Sequence, residues 1–151
     1  MSDDEFVAYA KASSRDYAKD KVRSGQWSAE ESLRLARDSL DSLLPQGLAT
    51  PDHHLLKIRD AVSQVDVGTL WFAVQAQAGG KIAYVYDVLV APPFQRRGYA
   101  SLAFAALEAK VRALGLSTIA LHVFGHNAGA RALYGKLGYE TTNISMSKHL
   151  D

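Results

Sequence analysis

Residues 88–100 read V88-L-V-A-P-P-F-Q-R-R-G-Y-A100. The apolar beginning predicts a buried strand that ends at two prolines, and the Arg- and Gly-rich turn after them predicts the start of a helix. The first turn of a helix leaves backbone N–H groups unpaired and carries a partial positive charge. With the charges of Arg96 and Arg97 and the close backbone approach that Gly98 permits, this turn predicts a site for a pyrophosphate or a similar anion.

The same turn has a plainer interpretation, which is an exposed basic turn in front of an amphipathic helix. It matches neither of two common phosphate-binding motifs. The three-glycine spacing of the dinucleotide fingerprint is absent, and no Gly-Lys-Ser/Thr follows as in a Walker A loop. The residues alone leave both interpretations open.

Strand-like segments lie on both sides of this turn. Five segments have the apolar content or the alternation of strands, and they are residues 54–59, 69–76, 81–90, 117–124 and a last one that contains Ile144 and Met146. The pair Gly79-Gly80 predicts a hairpin between the second and the third. The third is nearly continuous in apolar residues, which is typical of a strand buried on both faces.

Helical spacing of apolar residues accounts for the rest of the chain. The N-terminal third predicts two helices, the second of which has Ser28 as its N-cap and Glu31 as its capping-box partner. A long helix is expected after Gly98 and a shorter one over residues 128–137. The order ααβββαβαβ indicates an α/β fold with a mixed sheet flanked by helices, in one domain over residues 1–151.

Composition excludes several classes of protein. The chain has 151 residues, of which 48% are hydrophobic and 22% charged, and it has no cysteine, so disulfides, a thiolate nucleophile and a cysteine metal site are excluded. Lys plus Arg is 17 and Asp plus Glu is 16, which gives no argument for a nucleic-acid partner. No apolar run is long enough for a membrane span, and the acidic first residues show no signal peptide. We therefore expect a cytoplasmic protein without a membrane partner.

Two motifs resemble the GNAT acetyltransferase superfamily. The family signature Q/R-x-x-G-x-G/A is matched by Gln95-Arg96-Arg97-Gly98-Tyr99-Ala100. The second match is Asn127 followed by A-R-A-L-Y-G-K-L-G-Y over residues 130–139. The likeness covers roughly residues 55–150, and H-V-F-G-H-N is similar to bacterial members without an assigned substrate. It implies a central mixed, mostly antiparallel sheet, although the strand with which the family usually begins is absent here.

The resemblance also implies acetyl-CoA as the acyl donor, with no metal. It assigns cofactor binding to the signature turn, to the backbone of the preceding strand and to the start of the last helix, that is, to Leu89, Val90, Gln95, Arg96, Arg97, Gly98, Tyr99, Ala100 and Asn127. The backbone N–H groups of the turn are expected to face the pyrophosphate, and the strand to run beside the pantetheine arm. Asn127 has a second interpretation as a plain N-cap, and both roles are compatible.

For the chemistry, the position of Tyr134 in the family implies a general acid that protonates the leaving thiolate. The alternative is a core aromatic on the apolar stripe of its helix. Asp87 is the candidate base or anchor for the substrate ammonium, because burial in an apolar run raises a carboxylate's pKa, and the alternative is a structural carboxylate. Period-two counting places Asp87 on one face with Val85 and Leu89, and Tyr86 on the other.

The acceptor is expected to be a small-molecule or peptide amine that enters beneath the first two helices. Its candidate contacts are Trp27, Trp71, Tyr86 and His122, of which the last has a core histidine as its alternative. A metal site at His122 and His126 is disfavoured because the H-E-x-x-H pattern is absent, and no G-x-S-x-G indicates a serine hydrolase. A non-catalytic acyl-CoA sensor is the alternative function, and a homodimer is compatible with the missing edge strand.

Overall fold

The chain begins with two helices, and all of its strands follow them. The computed structural model of the protein describes residues 1–151. The helices are α1 (Asp3–Arg23), α2 (Ser32–Leu43), α3 (Tyr99–Ala113) and α4 (Ala128–Lys136). The strands are β1 (His53–Arg59), β2 (Asp66–Gln77), β3 (Gly80–Val90) and β4 (Ile119–Leu121). Short 3-10 turns lie at Gly47–Ala49 and Pro92–Phe94. None of the helices combines the length and the apolarity that crossing a bilayer requires.

The four strands form one sheet in the order β1-β2-β3-β4. The first two pairings are antiparallel, and the hairpin at Gly79-Gly80 joins β2 to β3 as predicted. The chain then crosses over through α3, so β4 runs parallel to β3. The predicted class, a mixed and mostly antiparallel sheet flanked by helices, is confirmed.

Each face of the sheet carries its own apolar cluster. On one face, Phe72 of β2 and Phe104 of α3 are completely buried, together with Leu70, Ala83, Val85, Leu107 and Val111. Full burial of one such phenylalanine contributes about 1.5–3 kcal/mol. On the other face, Trp71 packs with Tyr9 of α1 and with Leu44, which follows α2. Helices α1 and α2 therefore cover the face opposite to α3.

The helix starts differ from the prediction at one place. Helix α1 has a capping box, in which the Glu5 N–H donates to Ser2 Oγ at 3.3 Å and the Ser2 N–H donates to Glu5 Oε2 at 2.7 Å. The predicted box at Ser28 is wrong, because α2 begins four residues later, at Ser32. The Ser32 hydroxyl donates to the Ala29 carbonyl at 3.0 Å, and this bond stabilises a turn where the helix start was expected.

The predicted last strand is wrong. Residues 139–151 form no helix or strand, and Ile144 and Met146 are 76% and 91% exposed. Residues 141–147 have only two apolar side chains among Thr, Asn and Ser, which is too little apolar surface to hold the segment as a strand at the free edge of β4. The strand predicted over residues 117–124 is also shorter, because β4 ends at Leu121.

Candidate active site

The turn between β3 and α3 has an unusual backbone. Arg96 and Gly98 both have positive φ, at 65° and 82°, and Arg97 between them does not. Alternating backbone handedness turns successive N–H groups toward one side and forms an anion-binding concavity. Glycine adopts the left-handed conformation freely, whereas Arg96 does so at a cost of about 1–3 kcal/mol, and such strain is concentrated at functional sites.

The N–H groups of this turn are free. The backbone N–H groups of residues 96–101 donate no hydrogen bond within the protein, and the first bond after them runs from Leu102 N to the Gly98 carbonyl at 3.1 Å. The side chains of Arg96 and Arg97 are exposed and add two positive charges. Six consecutive donors beside two guanidinium groups favour the anion site over a plain basic turn.

Side-chain hydrogen bonds fix the turn at both ends. Gln95 Nε2 donates to the Val90 carbonyl at 2.9 Å, and the Tyr99 hydroxyl donates to Asp60 Oδ2 at 2.6 Å. The bond from Tyr99, followed by the Ser63 backbone N–H, lowers the pKa of Asp60 to about 2. The side chain of Tyr99 thus anchors the turn to the loop after β1, and its own N–H stays unpaired.

Strands β3 and β4 separate before β3 ends. They pair only from Ala83 and Ile119 to Val85 and Leu121, whereas β3 continues to Val90 with β2 as its sole partner. The edge of β3 that would face β4 is therefore open over residues 86–90. An open strand edge offers backbone donors and acceptors to an extended ligand.

A β-bulge at Tyr86 changes which side chains share a face. Trp71 of β2 is opposite Asp87 and the next residue, Phe72, is opposite Val85, so Tyr86 has no partner. Tyr86 consequently packs with Trp71 on the side of α1, where Asp87 also lies, while the side chain of Val85 packs in the cluster around Phe104. The period-two prediction was wrong here, because a bulge adds one residue to the alternation.

A cavity of about 400 Å³ lies between α1, α2 and the sheet. Its walls hold three carboxylates, Asp16, Asp20 and Asp87, and a larger group of aromatic side chains, namely Tyr9, Tyr17, Trp71, Tyr84, Tyr86 and Phe124. Leu89 and Asn127 line it as well. Leu89 is 42% exposed for this reason, which corrects the prediction that β3 is buried on both faces along its whole length.

Asp87 is the most buried carboxylate of the cavity wall. The Tyr9 hydroxyl donates to its Oδ2 at 2.8 Å across the interface between α1 and β3. Burial raises the pKa of Asp87 above its ordinary value, and the bond from Tyr9 acts in the opposite direction. Burial likewise raises the pKa of Tyr9, so this hydroxyl remains a donor. Tyr9 is not among the site residues predicted from the sequence, although Tyr9, Asp16 and Asp20 have the spacing of one helical face.

Tyr134 combines its two predicted environments. Its ring packs edge-on against Phe104, at 5.5 Å between centroids, and against Tyr139 at 5.7 Å. Burial, and after it the charge of Asp87, raises the pKa of the Tyr134 hydroxyl. The side chain is thus a core aromatic that packs on Phe104 and Tyr139, with a hydroxyl that responds to the charge of Asp87.

The other predicted residues divide into those at the cavity and one outside it. Asn127 lines the cavity and caps α4 by accepting from the Ala130 N–H at 3.2 Å. Trp71 and Tyr86 also line it, with rings stacked at 4.6 Å. His122 lines it as an exposed residue beyond β4 and is therefore no core histidine. Trp27 does not line the cavity but contacts Tyr17, which does, at 5.4 Å.

Comparison with known proteins points to one family. The profile of the Acetyltransferase (GNAT) family matches residues 21–139. Two Bacillus subtilis (strain 168) proteins named as uncharacterized N-acetyltransferases are similar over 150 residues. YycN is 37% identical, with 99% of this chain and 96% of YycN covered, and YdgE is 33% identical, with 99% and 95% covered.

Solved structures agree with this result. The crystal structure of YycN superposes with a TM-score of 0.93 over 99% of this chain and 95% of YycN. A GCN5-related N-acetyltransferase from Ralstonia eutropha JMP134, at 20% identity, shares the fold with a TM-score of 0.67 over 93% of this chain and 92% of its own. The resemblance carried by the two sequence motifs is confirmed, and this chain belongs to the Acetyltransferase (GNAT) family and is an acetyltransferase.

Proposed function

We propose that this acetyltransferase uses acetyl-CoA and transfers the acetyl group to a primary amine, directly and within a ternary complex. The observation that carries the proposal is the placement of Leu89. This residue lines the cavity that contains Asp87, and the turn with six free N–H groups begins a few residues further along the chain. A donor held along β3 would therefore extend from the anion site to the half-buried carboxylate.

The donor is held by backbone more than by side chains in this proposal. The N–H groups of residues 96–100 bind the pyrophosphate, and Arg96 and Arg97 add charge at its rim. The open edge of β3 at Leu89 and Val90 pairs with the pantetheine arm. Gln95 holds the turn in position through its bond to the Val90 carbonyl, and Asn127 contacts the arm from the start of α4.

The transfer step moves two protons. The amine nitrogen forms a bond to the thioester carbonyl carbon, the bond between that carbon and sulfur breaks, and coenzyme A leaves as a thiolate with the electron pair. An ammonium acceptor must lose one proton before it attacks and a second as the amide forms. One of these protons neutralises the thiolate, and the other leaves through the protein to water.

Tyr134 is the proposed general acid. Its raised pKa keeps the hydroxyl protonated at neutral pH, as an acid requires. A family member's tyrosine at this place on the fourth helix has this role, and Tyr134 lies on the side of α4 that faces Phe104 and the sheet. Proton donation to the thiolate is expected to contribute about 10²–10⁴-fold to the rate.

Asp87 is the proposed anchor and base for the acceptor ammonium. The carboxylate is half-buried, it lines the cavity, and its raised pKa brings it nearer to the range in which a carboxylate exchanges protons at neutral pH. Trp71, Tyr86 and His122 line the same cavity and are further proposed acceptor contacts, and Trp27 is proposed to act through Tyr17, which it contacts. The acceptor thus enters between α1 and the sheet.

Three further predictions from the sequence remain proposals. Residues 1–151 act as one domain, since the two apolar clusters lie on opposite faces of one sheet. A homodimer is compatible with β4, which has a pairing partner on one side only. Location in the cytoplasm stays a prediction.

The substitution Tyr134→Phe tests the proposed chemistry, and Tyr139→Phe is its matched control. Both side chains pack on Phe104, at 5.5 and 5.9 Å, so both variants keep the ring and lose one hydroxyl. We expect Tyr134→Phe to lower kcat by about 10²–10³-fold with unchanged acetyl-CoA affinity, and Tyr139→Phe to retain kcat. Full turnover in Tyr134→Phe would contradict the acid role. Acetyl-CoA binding without turnover of any amine in the wild type would instead indicate the sensor.

A further inference from the structure

One face of α1 forms a wall of the acceptor cavity. The cavity-lining residues of this helix recur at three- and four-residue intervals, and they include Tyr9, Ser13, Asp16, Tyr17 and Asp20. The opposite side of the helix faces a separate groove against the start of α2, and that side carries Arg15, Lys19 and Arg23. Helix α1 thus separates its charges, acidic toward the cavity and basic away from it.

The charge of the cavity wall is therefore negative, although the whole chain has a net charge of +1. Three carboxylates line the cavity and one ammonium, that of Lys21, lies at its border. Lys21 Nζ donates to Gln26 Oε1 at 2.6 Å and lies over the rings of Tyr17 and Trp27, so it pairs with none of the three. The composition of the chain gives no sign of this acidic surface.

The three carboxylates differ in their hydrogen-bond partners. Asp87 accepts from Tyr9, and Asp20 Oδ1 is 2.9 Å from His126 Nε2. Asp16 has no hydrogen bond or ion pair and lies two helical turns from Tyr9, about 10 Å along the helix axis. Its side chain is tilted toward the N-terminus of α1, that is, toward Asp87. The cavity thus has one half-buried carboxylate and one free carboxylate at a distance from it.

Aromatic rings line the same cavity as the two carboxylates. Tyr84 and Tyr86 meet at 4.9 Å, and Tyr17 and Phe124 at 6.4 Å. Aromatic faces attract ammonium groups and contact the methylene groups between them. The volume of about 400 Å³ fits a small molecule.

We propose that the acceptor is a small alkyl dication, an amine whose reacting ammonium binds Asp87 and whose second cationic group binds Asp16, with its carbon chain against the aromatic rings. This inference rests on the proposed function and adds the class of acceptor to it. A monoamine would leave Asp16 without a partner. A neutral or acidic acceptor would place no cation between the two carboxylates.

A pair of amines of equal carbon length tests the proposal, 1,5-diaminopentane and n-pentylamine. Release of coenzyme A is followed with a thiol reagent, for which the chain gives no background because it has no cysteine. We expect kcat/KM for the diamine to exceed that for the monoamine by roughly tenfold at low ionic strength. The ratio should fall as salt is added, because Asp16 is exposed.

Asp16→Asn is the informative variant, and Asp41→Asn is its control. Asp41 is an exposed residue of α2 outside the cavity, so the substitution Asp41→Asn removes the same charge without changing the proposed site. The ratio of diamine to monoamine should fall to about one in Asp16→Asn and stay as in the wild type in Asp41→Asn. Equal loss in both variants would indicate an effect of net charge and overturn the assignment of Asp16.

Calorimetry with acetyl-CoA on the same samples separates the two proposals. If acetyl-CoA binds and both amines react equally, or only a lysine-containing peptide reacts, the dication proposal is wrong and the acetyltransferase proposal stands. If acetyl-CoA binds and neither amine reacts, the dication proposal is likewise wrong. If acetyl-CoA does not bind, the proposed function is wrong, and the dication proposal that rests on it falls with it.

Discussion

Gly68 is the position where a single added carbon is expected to damage the donor site. It lies in β2 opposite Val90, at the end of the β2–β3 pairing. A Cβ at Gly68 would lie less than 3.0 Å from the Leu89 carbonyl oxygen, closer than Cβ atoms come in real proteins. It would also lie 3.1 Å from both the Leu89 carbonyl carbon and the Val90 Cα. All three atoms are backbone, so no side chain can move aside.

The size of the effect follows from these contacts. Ordinary van der Waals contact for a Cβ begins at 3.4 Å, so Gly68→Ala forces β3 to retreat by roughly 1 Å at Leu89. Overpacking of this kind costs about 3 kcal/mol, which lowers the Tm of a chain of this length by about 6–12 °C. A displacement of about 1 Å at a positioning element costs about 100-fold in rate. Leu89 and Val90 are the residues whose backbone is proposed to hold the pantetheine arm.

The assay compares Gly68→Ala with Gly79→Ala. Gly79 lies in the hairpin turn between the same two strands, and an added Cβ there has no heavy atom within 4 Å. Thermal melts and kcat/KM for acetyl-CoA are measured on both variants. We expect Gly68→Ala to lose stability and activity as calculated, and Gly79→Ala to match the wild type. A Gly68→Ala variant with the expected loss of Tm but wild-type kcat/KM would refute the placement of the donor along this strand.

Two further predictions concern hydrogen bonds of α1. Tyr9→Phe keeps the ring and removes the hydrogen bond to Asp87, so the pKa of Asp87 rises further. The acidic limb of the profile of kcat/KM against pH is therefore expected to move to higher pH. An unmoved limb would show that Asp87 is not the titrating base. The bond from Lys57 lowers the pKa of Glu5 from 4.5 to about 2, so its contribution to stability is complete above pH 4.5 and is lost as the pH falls toward about 2. Lys57→Met should flatten the dependence of Tm on pH in that window, and an unchanged slope would contradict this linkage.

Local sequence signals were sufficient for the turn at the proposed donor site. The prolines that end β3, the Arg-Arg-Gly turn and the apolar stripe of α3 are contiguous, and backbone handedness in such a turn depends on residues within it. The sequence therefore predicts the anion site, the hairpin at Gly79-Gly80 and the start of α3 within one or two residues. The N-cap role of Asn127 is equally local.

The acceptor side could not be predicted in the same way, because it depends on contacts between distant segments. The bulge at Tyr86 arises from the register of β3 against β2, and it places Asp87 on the face opposite to Val85, with which it was predicted to share a face. The bond from Tyr9 to Asp87 joins residues 78 positions apart. Net charge likewise concealed the acidic cavity, since Arg15, Lys19 and Arg23 balance it from the other side of α1.

The most direct test of the account is calorimetric titration with acetyl-CoA of the wild type, Gly98→Glu and Gly115→Glu. The two glycines flank the same helix with nearly equal φ, 82° and 78°, and an added Cβ meets nothing at either, so both variants share the backbone strain and the added charge. We expect the wild type and Gly115→Glu to bind acetyl-CoA with micromolar affinity, and Gly98→Glu, whose carboxylate repels the pyrophosphate, to lose at least about 100-fold in affinity. Equal binding by Gly98→Glu, or no binding by the wild type, would contradict this expectation.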